Sequence, residues 1–536
     1  MFSCQNFPDF NHHDVIKKIH AEFRGREEKF GLFGTVTITG PHPHHEDACE
    51  RPAPRCRRRA VHRNIDGSCN NLKKPLWGSA NIRMRRFLAA DYGDNTSSPF
   101  TGASGRLPLA RVVSTSFHPD EDIPSQVITN MVTQMGQFLD HDITLTPETE
   151  LHDCCHHPHQ PECFPLSVPS DDQFYSSLSP AQTCLEFTRS TAFCEEPTST
   201  REQMNAITAF VDASNVYSAE EETSRLLRSF EAGRLKVKTS SEEELLPEVN
   251  GELMAGDERA LDMPGLASMH TLWLREHNRL AGQINSFRPG WTDERIFQAA
   301  RRILIAEMQN IVYGEYLPVV LGKDAMRKYR VELPRFDFQW SRYDSSVDPS
   351  IHNSFATAAY RFGHSLIQGL IKMLSPTTLI EEDQFQLRDH FFNPEKYLED
   401  GGRGMEKLIA GLINQPAQTL DRFVTREVTN FLYRDFQNGT NHGSDLVARN
   451  LQRGRDHGLP GYNKWRTFCG MEDIRSMHER PAEISESNWR KISGLYQSPD
   501  DIELFVAGLA ETKVPGGLTG NTFNCIKENF FNMLVL

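Results

Sequence analysis

Apolar residues recur at three- and four-residue spacing through four stretches of the chain. Over 125–142 the repeat runs through Val127, Ile128, Met131, Met135, Phe138 and Leu139, with Ser125 placed to cap the helix. The same spacing over 266–284, 294–321 and 354–374 predicts three further helices. Strand-like alternation is rare and short, so the pattern predicts a mainly α fold with few short strands. Residues 56–121 are rich in Gly, Pro, Asn and Arg and read as long loops, and the Cys- and Pro-rich stretch 147–200 reads as a stapled surface loop. Residues 1–55 lack apolar periodicity and read as an irregular pro-segment or tail. No internal repeat or Gly/Ser linker divides the rest, so 56–536 is expected to form one large domain.

Composition narrows the class. With 38% hydrophobic residues among 536, the chain can bury a sizeable core. A formal charge of −14 argues against a general nucleic-acid partner. No run of about 18 apolar residues occurs, so no transmembrane helix is expected. The 11 cysteines form no C-x-x-C pair, which counts against zinc ribbons and thioredoxin-like motifs and favours disulfides made in an oxidising compartment. Sequons at Asn95 and Asn438 agree with a secretory route. The opening residues lack a basic and an apolar leader region, so a signal peptide is expected upstream of Met1.

Five constellations could carry chemistry. In Gly136-Gln-Phe-Leu-Asp-His-Asp142, Gln137 and His141 share a helix face, Asp140 and Asp142 flank the histidine, and an imidazole there can serve as general acid and base. The bland alternative is a satisfied helix C-terminus. In Thr208-Ala-Phe-Val-Asp-Ala-Ser214, Thr208, Asp212 and Ser214 with the Phe210 carbonyl supply alternate oxygens of the kind that wrap a hard cation such as calcium, with Asp142 a candidate further ligand. A turn or helix cap is the commoner use of such a set. Arg259, in Arg259-Ala-Leu-Asp-Met-Pro264, could stabilise developing negative charge, or simply make a surface ion pair. His364, in Tyr360-Arg-Phe-Gly-His364, follows a glycine that lets something bulky approach and could be an axial metal ligand, against the reading of a core histidine. In Asn450-Leu-Gln-Arg-Gly-Arg-Asp-His-Gly458, Asn450 could fix an imidazole tautomer and Arg453 could pair with a carboxylate. A polar helix end before a turn fits that stretch equally.

Taken together and in this order, these motifs, with Ser268-Met-His-Thr-Leu-Trp-Leu-Arg-Glu-His277, resemble the animal haem peroxidase family across about 56–525. Cys69-Asn-Asn-Leu-Lys-Lys-Pro-Leu-Trp-Gly78 is most similar to its peroxidasin and peroxinectin-like branch. The resemblance implies a haem peroxidase-like helical fold that reduces hydrogen peroxide and oxidises halides, thiocyanate or phenolic donors through an oxoferryl haem. It implies His141 as the distal base and acid, Gln137 as a holder of distal water or halide, and Arg259 as the stabiliser of charge during O–O cleavage. His364 would be the proximal ligand of the haem iron, with Asn450 accepting its Nδ1–H, and Arg453 and Arg361 would meet the propionates. Asp142, Thr208, Phe210, Asp212 and Ser214 would hold calcium. Haem b would be covalently attached: an ester at Asp140, a second at Asp262, where the family usually has Glu, and a sulfonium link at Met263. The disulfides implied are Cys56–Cys69 and Cys469–Cys525, with Cys154 and Cys155 pairing to Cys163 and Cys184 in either order. Cys4, Cys49 and Cys194 are left over, and Cys194 could join chains.

The family implies a secreted enzyme that meets peroxide and small reducing substrates, with extracellular-matrix association or a disulfide-linked oligomer as further partners. It also implies helical segments beyond Leu536, so the chain reads as truncated at its C-terminus. Rival readings are a non-catalytic adhesion module on the same scaffold, and a fatty-acid dioxygenase using Tyr360. A third is a zinc or copper binder using His152, His156, His157 and His159 with His42, His44 and His45.

Overall fold

The computed structural model describes residues 52–57, 61–149, 151, 153–194, 200–240, 243–333, 343–435 and 439–535. Cys4, Cys49, His42, His44, His45, His152 and the Asn438 sequon lie outside them. Helix takes 41% and strand 11%, which makes the fold mainly α as the pattern predicts. The helices used below are α1 (Ala110–Phe117), α2 (Asn130–Ile143), α3 (Pro264–Phe287), α4 (Asp293–Ile311), α5 (Gly404–Asn414), α6 (Leu446–Asp456) and α7 (Asn521–Val535). Strands β1 (Pro124–Thr129), β2 (Leu370–Leu374), β3 (Glu381–Gln386) and β4 (Pro416–Gln418) form two antiparallel pairs, β1 with β4 and β2 with β3.

Helix α2 is the central element, packed against α3, α5 and the 3-10 segment Ala359–Leu366. Its core face buries Val132, Met135, Phe138, Leu139 and Ile143, of which Phe138, Leu139 and Ile143 are fully enclosed. Each such side chain contributes about 1.5–3 kcal/mol by leaving water. Gly136 sits where a Cβ would come within 2.7 Å of Tyr316 Oη, so only glycine lets that ring close on the helix.

Two expected helices are corrected. Residues 125–129 are strand, not helix, and Ser125 caps nothing: its Oγ accepts from the amides of Val127 and Ile128 instead. Pairing with β4 satisfies this backbone, and Val127 faces outward at 77% exposure, so its apolar side chain is not part of a buried stripe. The stretch 354–374 breaks into a short helix (Asn353–Thr357), the 3-10 segment and β2. Short apolar runs fit either period, and here the β2–β3 pairing decides. The other two helices form where expected, although α4 passes through a π-helical turn at Val312–Tyr316 before a last turn at Leu317–Leu321.

Four disulfides are formed: Cys56–Cys69, Cys154–Cys163, Cys155–Cys184 and Cys469–Cys525. The last pins α7 across a 56-residue separation, worth roughly 4 kcal/mol by loop-closure entropy. Cys194 is also disulfide-bonded, so it is not a free thiol for joining chains. Among the described residues no helix is long and apolar enough to cross a membrane.

Buried polar anchors fix the elements that carry the site. Arg111 on α1 binds Asp172 and Asp445 at 2.7 Å each, and Asp445 caps α6 by accepting from the Ala448 amide. Removing one partner of such an enclosed pair typically costs about 3–5 kcal/mol. His118, just after α1, contacts the Arg422 carbonyl oxygen through Nδ1 at 2.7 Å, while its Nε2 is enclosed without a partner. Burial drops its pKa from 6.5 to about 3. A ring held neutral in this way contributes stability that is complete above pH 6.5 and is lost as pH falls toward 3. His118→Gln is therefore expected to flatten the fall in stability between pH 6.5 and 4 by up to one proton, about 1.4 kcal/mol per pH unit. Denaturant midpoints at pH 7 and pH 5 measure this, and parallel slopes for parent and variant would refute it.

Candidate active site

The last two turns of α2 place Gln137, Asp140, His141 and Asp142 where four other segments meet. His141 is buried, and its Nδ1 is enclosed without a hydrogen-bond partner, 3.6 Å from Asp257 Oδ1. That distance is an electrostatic contact, too long for a hydrogen bond. It orients Nδ1 toward the carboxylate and leaves Nε2 as the nitrogen available to a substrate. Burial, then Arg259, holds the imidazole pKa well below 6.5, so the ring is a neutral base at pH 7. Gln137, one turn earlier, accepts from Gln134 Nε2 at 3.0 Å.

Asp257 escaped the sequence reading. It caps the 3-10 turn Glu258–Leu261 by accepting from the Arg259 amide, and grips the Arg259 side chain at Nε (2.8 Å) and Nη2 (2.7 Å). Burial works against the Asp257 charge, but Arg259 overcomes it and holds the carboxyl at about 2. Arg259 also donates to the Thr144 carbonyl (3.1 Å) and lies 4.0 Å from Asp140 Oδ2. One carboxylate thus positions both the base and the cation. The only sequence signal was an Asp two residues before Arg259 at the start of a turn.

His364 comes from the 3-10 segment packed on α2. Burial lowers its pKa to about 3, so it too is neutral and able to ligate a metal. Its Nδ1 lies 2.7 Å from the Asn450 amide on α6, which leaves Nε2 for a ligand. The structure brings the expected pair together, and Arg361 Nη1 donates to Asn450 Oδ1 at 2.8 Å. A half-turn of the amide exchanges its oxygen and nitrogen, and with the oxygen on Nδ1–H the Nε2 lone pair is the one left for a metal.

Arg361 also donates from Nε to the Ala356 carbonyl and has no carboxylate at ion-pairing distance among the described residues. Burial, then the neighbouring Arg453, lowers its pKa to about 10, the mark of a cation that seeks an anion. Arg453 differs: Glu148 and Asp456 bind it, and it donates to the Thr188 carbonyl and Ser190 Oγ. Protein groups thus already occupy the side chain expected at a propionate.

Space is left beside some of these groups. Asp140 and Arg259 are deeply enclosed, yet their side chains keep 30% and 20% of their accessible surface. A Cβ on Gly363, beside His364, would meet nothing within 4 Å. Burial raises Asp140 to about 6 and Asp262 to about 7, against the pull of Arg259. Asp262 Oδ2 lies 3.5 Å from Tyr433 Oη, and Met263 starts α3, half-buried against the core. A neutral histidine, an arginine with no carboxylate at ion-pairing distance among the described residues and two near-neutral carboxyls are the kinds of group that a flat, anionic, iron-bearing macrocycle would call for.

The oxygen-rich loop meets α2 as well. The Ser214 amide (2.5 Å) and the Ala213 amide (3.2 Å) donate to the Asp142 carboxylate, and Ser214 Oγ donates to the Asp142 carbonyl (2.7 Å). Thr208 Oγ1 donates to Asp212 Oδ1 at 2.8 Å, and Phe210 O accepts from the Asp212 amide at 2.9 Å. Asp212 Oδ2 is enclosed with no partner. Burial and the mutual proximity of Asp142 and Asp212 push the Asp142 carboxyl well up, and burial raises Asp212. Two desolvated carboxylates with an orphaned oxygen fit a hard cation.

The zinc or copper alternative gains little. Asp153 contacts both His156 and His157, but no cluster of three metal-ligating His, Cys, Asp or Glu exists among the described residues, and Cys154, Cys155, Cys163 and Cys184 are consumed by disulfides.

Comparison with known proteins agrees with this geometry. The animal haem peroxidase family profile matches residues 62–535. The chain is 36% identical over 518 residues to a chorion peroxidase of Drosophila melanogaster, covering 90% of this chain and 62% of that one. It is 37% identical over 516 residues to mouse myeloperoxidase, covering 88% of this chain and 70% of that one. Among solved structures it is similar to peroxidase A of Dictyostelium discoideum, with a TM-score of 0.73 and 28% identity over 88% of this chain and 90% of that one.

Proposed function

Because the chain belongs to the animal haem peroxidase family, we propose that it is a haem-dependent peroxidase that reduces hydrogen peroxide at the expense of small donors. The observation that carries the reading is the pair of neutral histidines, His141 on α2 and His364 on the 3-10 segment packed against it, with Arg259 and Asp140 next to each other on the His141 side. Haem, when bound, supplies the electrons for O–O cleavage and the oxidising power passed to the donor. Nε2 of His141 takes the proton from one peroxide oxygen and returns it to the other, which leaves as water. Arg259, held by Asp257, stabilises the negative charge on the departing oxygen. Gln137 holds a distal water or halide. His364 Nε2 would hold the iron, and Asn450, 2.7 Å from Nδ1, would fix the ring orientation.

Arg361 is the first choice for a propionate, with Arg453 behind it. Asp140 supplies an ester carboxyl. Asp262 is shorter by one methylene than the usual Glu and already faces Tyr433, which supports a single ester, while the half-buried Met263 offers a sulfonium link. Calcium held by Asp142, Thr208, Phe210 O, Asp212 and Ser214 locks the residue after His141. Halides, thiocyanate and phenols are the donor classes proposed. The disulfides support an extracellular site of action. The chain spans 62% of the chorion peroxidase, so the function of that longer protein is not carried over whole.

The test is an absorption spectrum of the haem-reconstituted chain, with pyridine haemochrome analysis before and after acid extraction. A Soret band that shifts on adding peroxide, with haem left on the protein after extraction, is expected. A chain that takes up no haem ends the proposal.

A further inference from the structure

Charge is distributed very unevenly along the chain. Residues 51–90 hold eleven Lys and Arg and a single carboxylate, Asp66, a net +10 within a chain of net −14. Nothing in the proposed chemistry uses this excess.

The structure sets Arg55, Arg57, Lys73 and Lys74 on adjoining surface loops, a basic strip. The Cys56–Cys69 bridge, with Cα atoms 5.5 Å apart, sets Arg55 and Arg57 beside the loop that carries Lys73 and Lys74. That loop is fastened to 343–350: Asn71 donates to the Ser345 carbonyl (3.0 Å) and Lys73 to Ser345 Oγ (3.2 Å), and Arg85 donates to the Asp348 carbonyl (3.0 Å). Arg55, Arg57, Lys73 and Lys74 are exposed. None of them has a carboxylate at ion-pairing distance among the described residues, whereas the buried Arg111, Arg189 and Arg201 are all paired. The nearby carboxylates are few: Asp348 pairs with Arg85, Asp344 is bound by Ser346, and Asp66 accepts from the Ser68 amide.

Like charges crowded on a surface repel one another, and the repulsion is relieved when an anion binds. We propose that this strip docks a linear sulfated polysaccharide. The disulfides place the surface in an oxidising space, where such polymers are the abundant polyanions. The strip is irregular loop with no helix to enter a nucleic-acid groove, and its one tryptophan, Trp77, is half-buried with Lys74 lying over the ring, so it offers no stacking platform for bases. Among the described residues of the strip and of 343–350 the large exposed apolar side chains are Val61, Leu72 and Tyr343, the last tied by its hydroxyl to the Asn70 carbonyl, too few to insert into a lipid surface. Guanidinium groups bind sulfate in a forked geometry and lose that grip as salt screens it.

The probe is heparin, with the full chain applied to an immobilised column at about 0.15 M salt and eluted with sodium chloride. The parent is expected to be retained. Combined replacement R55Q, R57Q, K73Q and K74Q should weaken heparin binding ~10-fold or more and advance elution. The same number of neutralised cations elsewhere (Arg225, Lys236, Arg490 and Lys491, all exposed) should leave elution nearly unchanged. Equal thermal melting of both variants and the parent excludes misfolding as the cause. A parent that flows through, a strip variant that elutes with the parent, or tighter binding to duplex DNA or phosphatidylserine vesicles than to heparin would overturn the proposal.

Discussion

Replacing His141 by alanine is expected to lower peroxide turnover ~10²- to 10⁴-fold while haem content stays at the parental level. The size follows from what the residue does. A positioned base must both accept and return a proton within one turnover, and the charged groups beside His141, Asp257 and Arg259, are committed to each other. Arg259 remains in the variant, so some acceleration over the uncatalysed reaction persists. His364→Ala provides the contrast, since it should lose the Soret band itself. If His141→Ala turned over peroxide at the parental rate with haem intact, the assignment of the base would be wrong, although the family and the haem site would stand.

The second large effect is expected at the cation site. Asp212→Ala should weaken calcium binding by ~100-fold or more, which at a fixed calcium concentration well above the parental Kd costs about 2.7 kcal/mol of stability. Chelation of the parent should reproduce most of that loss and add little in the variant. The reason lies in two carboxylates that burial has stripped of water. With a divalent ion between them their charges are compensated; without it, one must take a proton or repel the other. Thermal melts with and without chelator measure the effect, and peroxide turnover should fall in parallel because Asp142 follows His141 directly. Identical melts for parent and variant in excess calcium would show that this loop holds no ion.

Much of the site was legible from the chain because its residues sit in contiguous motifs. Gln137 and His141 share a face through helical spacing alone, and α2 ends within one residue of the expected position. The start of that helix was not legible. A run such as Ser-Gln-Val-Ile-Thr suits strand or helix, and the choice is made by β4, nearly three hundred residues away in sequence. The same holds after His364, where a helical-looking run turns into β2 because β3 is there to pair with it. Asp257 was missed for a related reason. Its importance comes from facing His141 and Arg259 together, and no local pattern reports such a meeting.

Helix α7 gives the fold an order of assembly. Phe530 and Phe531 are fully buried against Phe355 and Tyr360, the rings just before His364, and Lys527 lies over Phe362. Synthesis reaches His364 well before α7, so the rings beside that histidine gain this packing only when the later helix arrives, and the Cys469–Cys525 bridge then pins that helix.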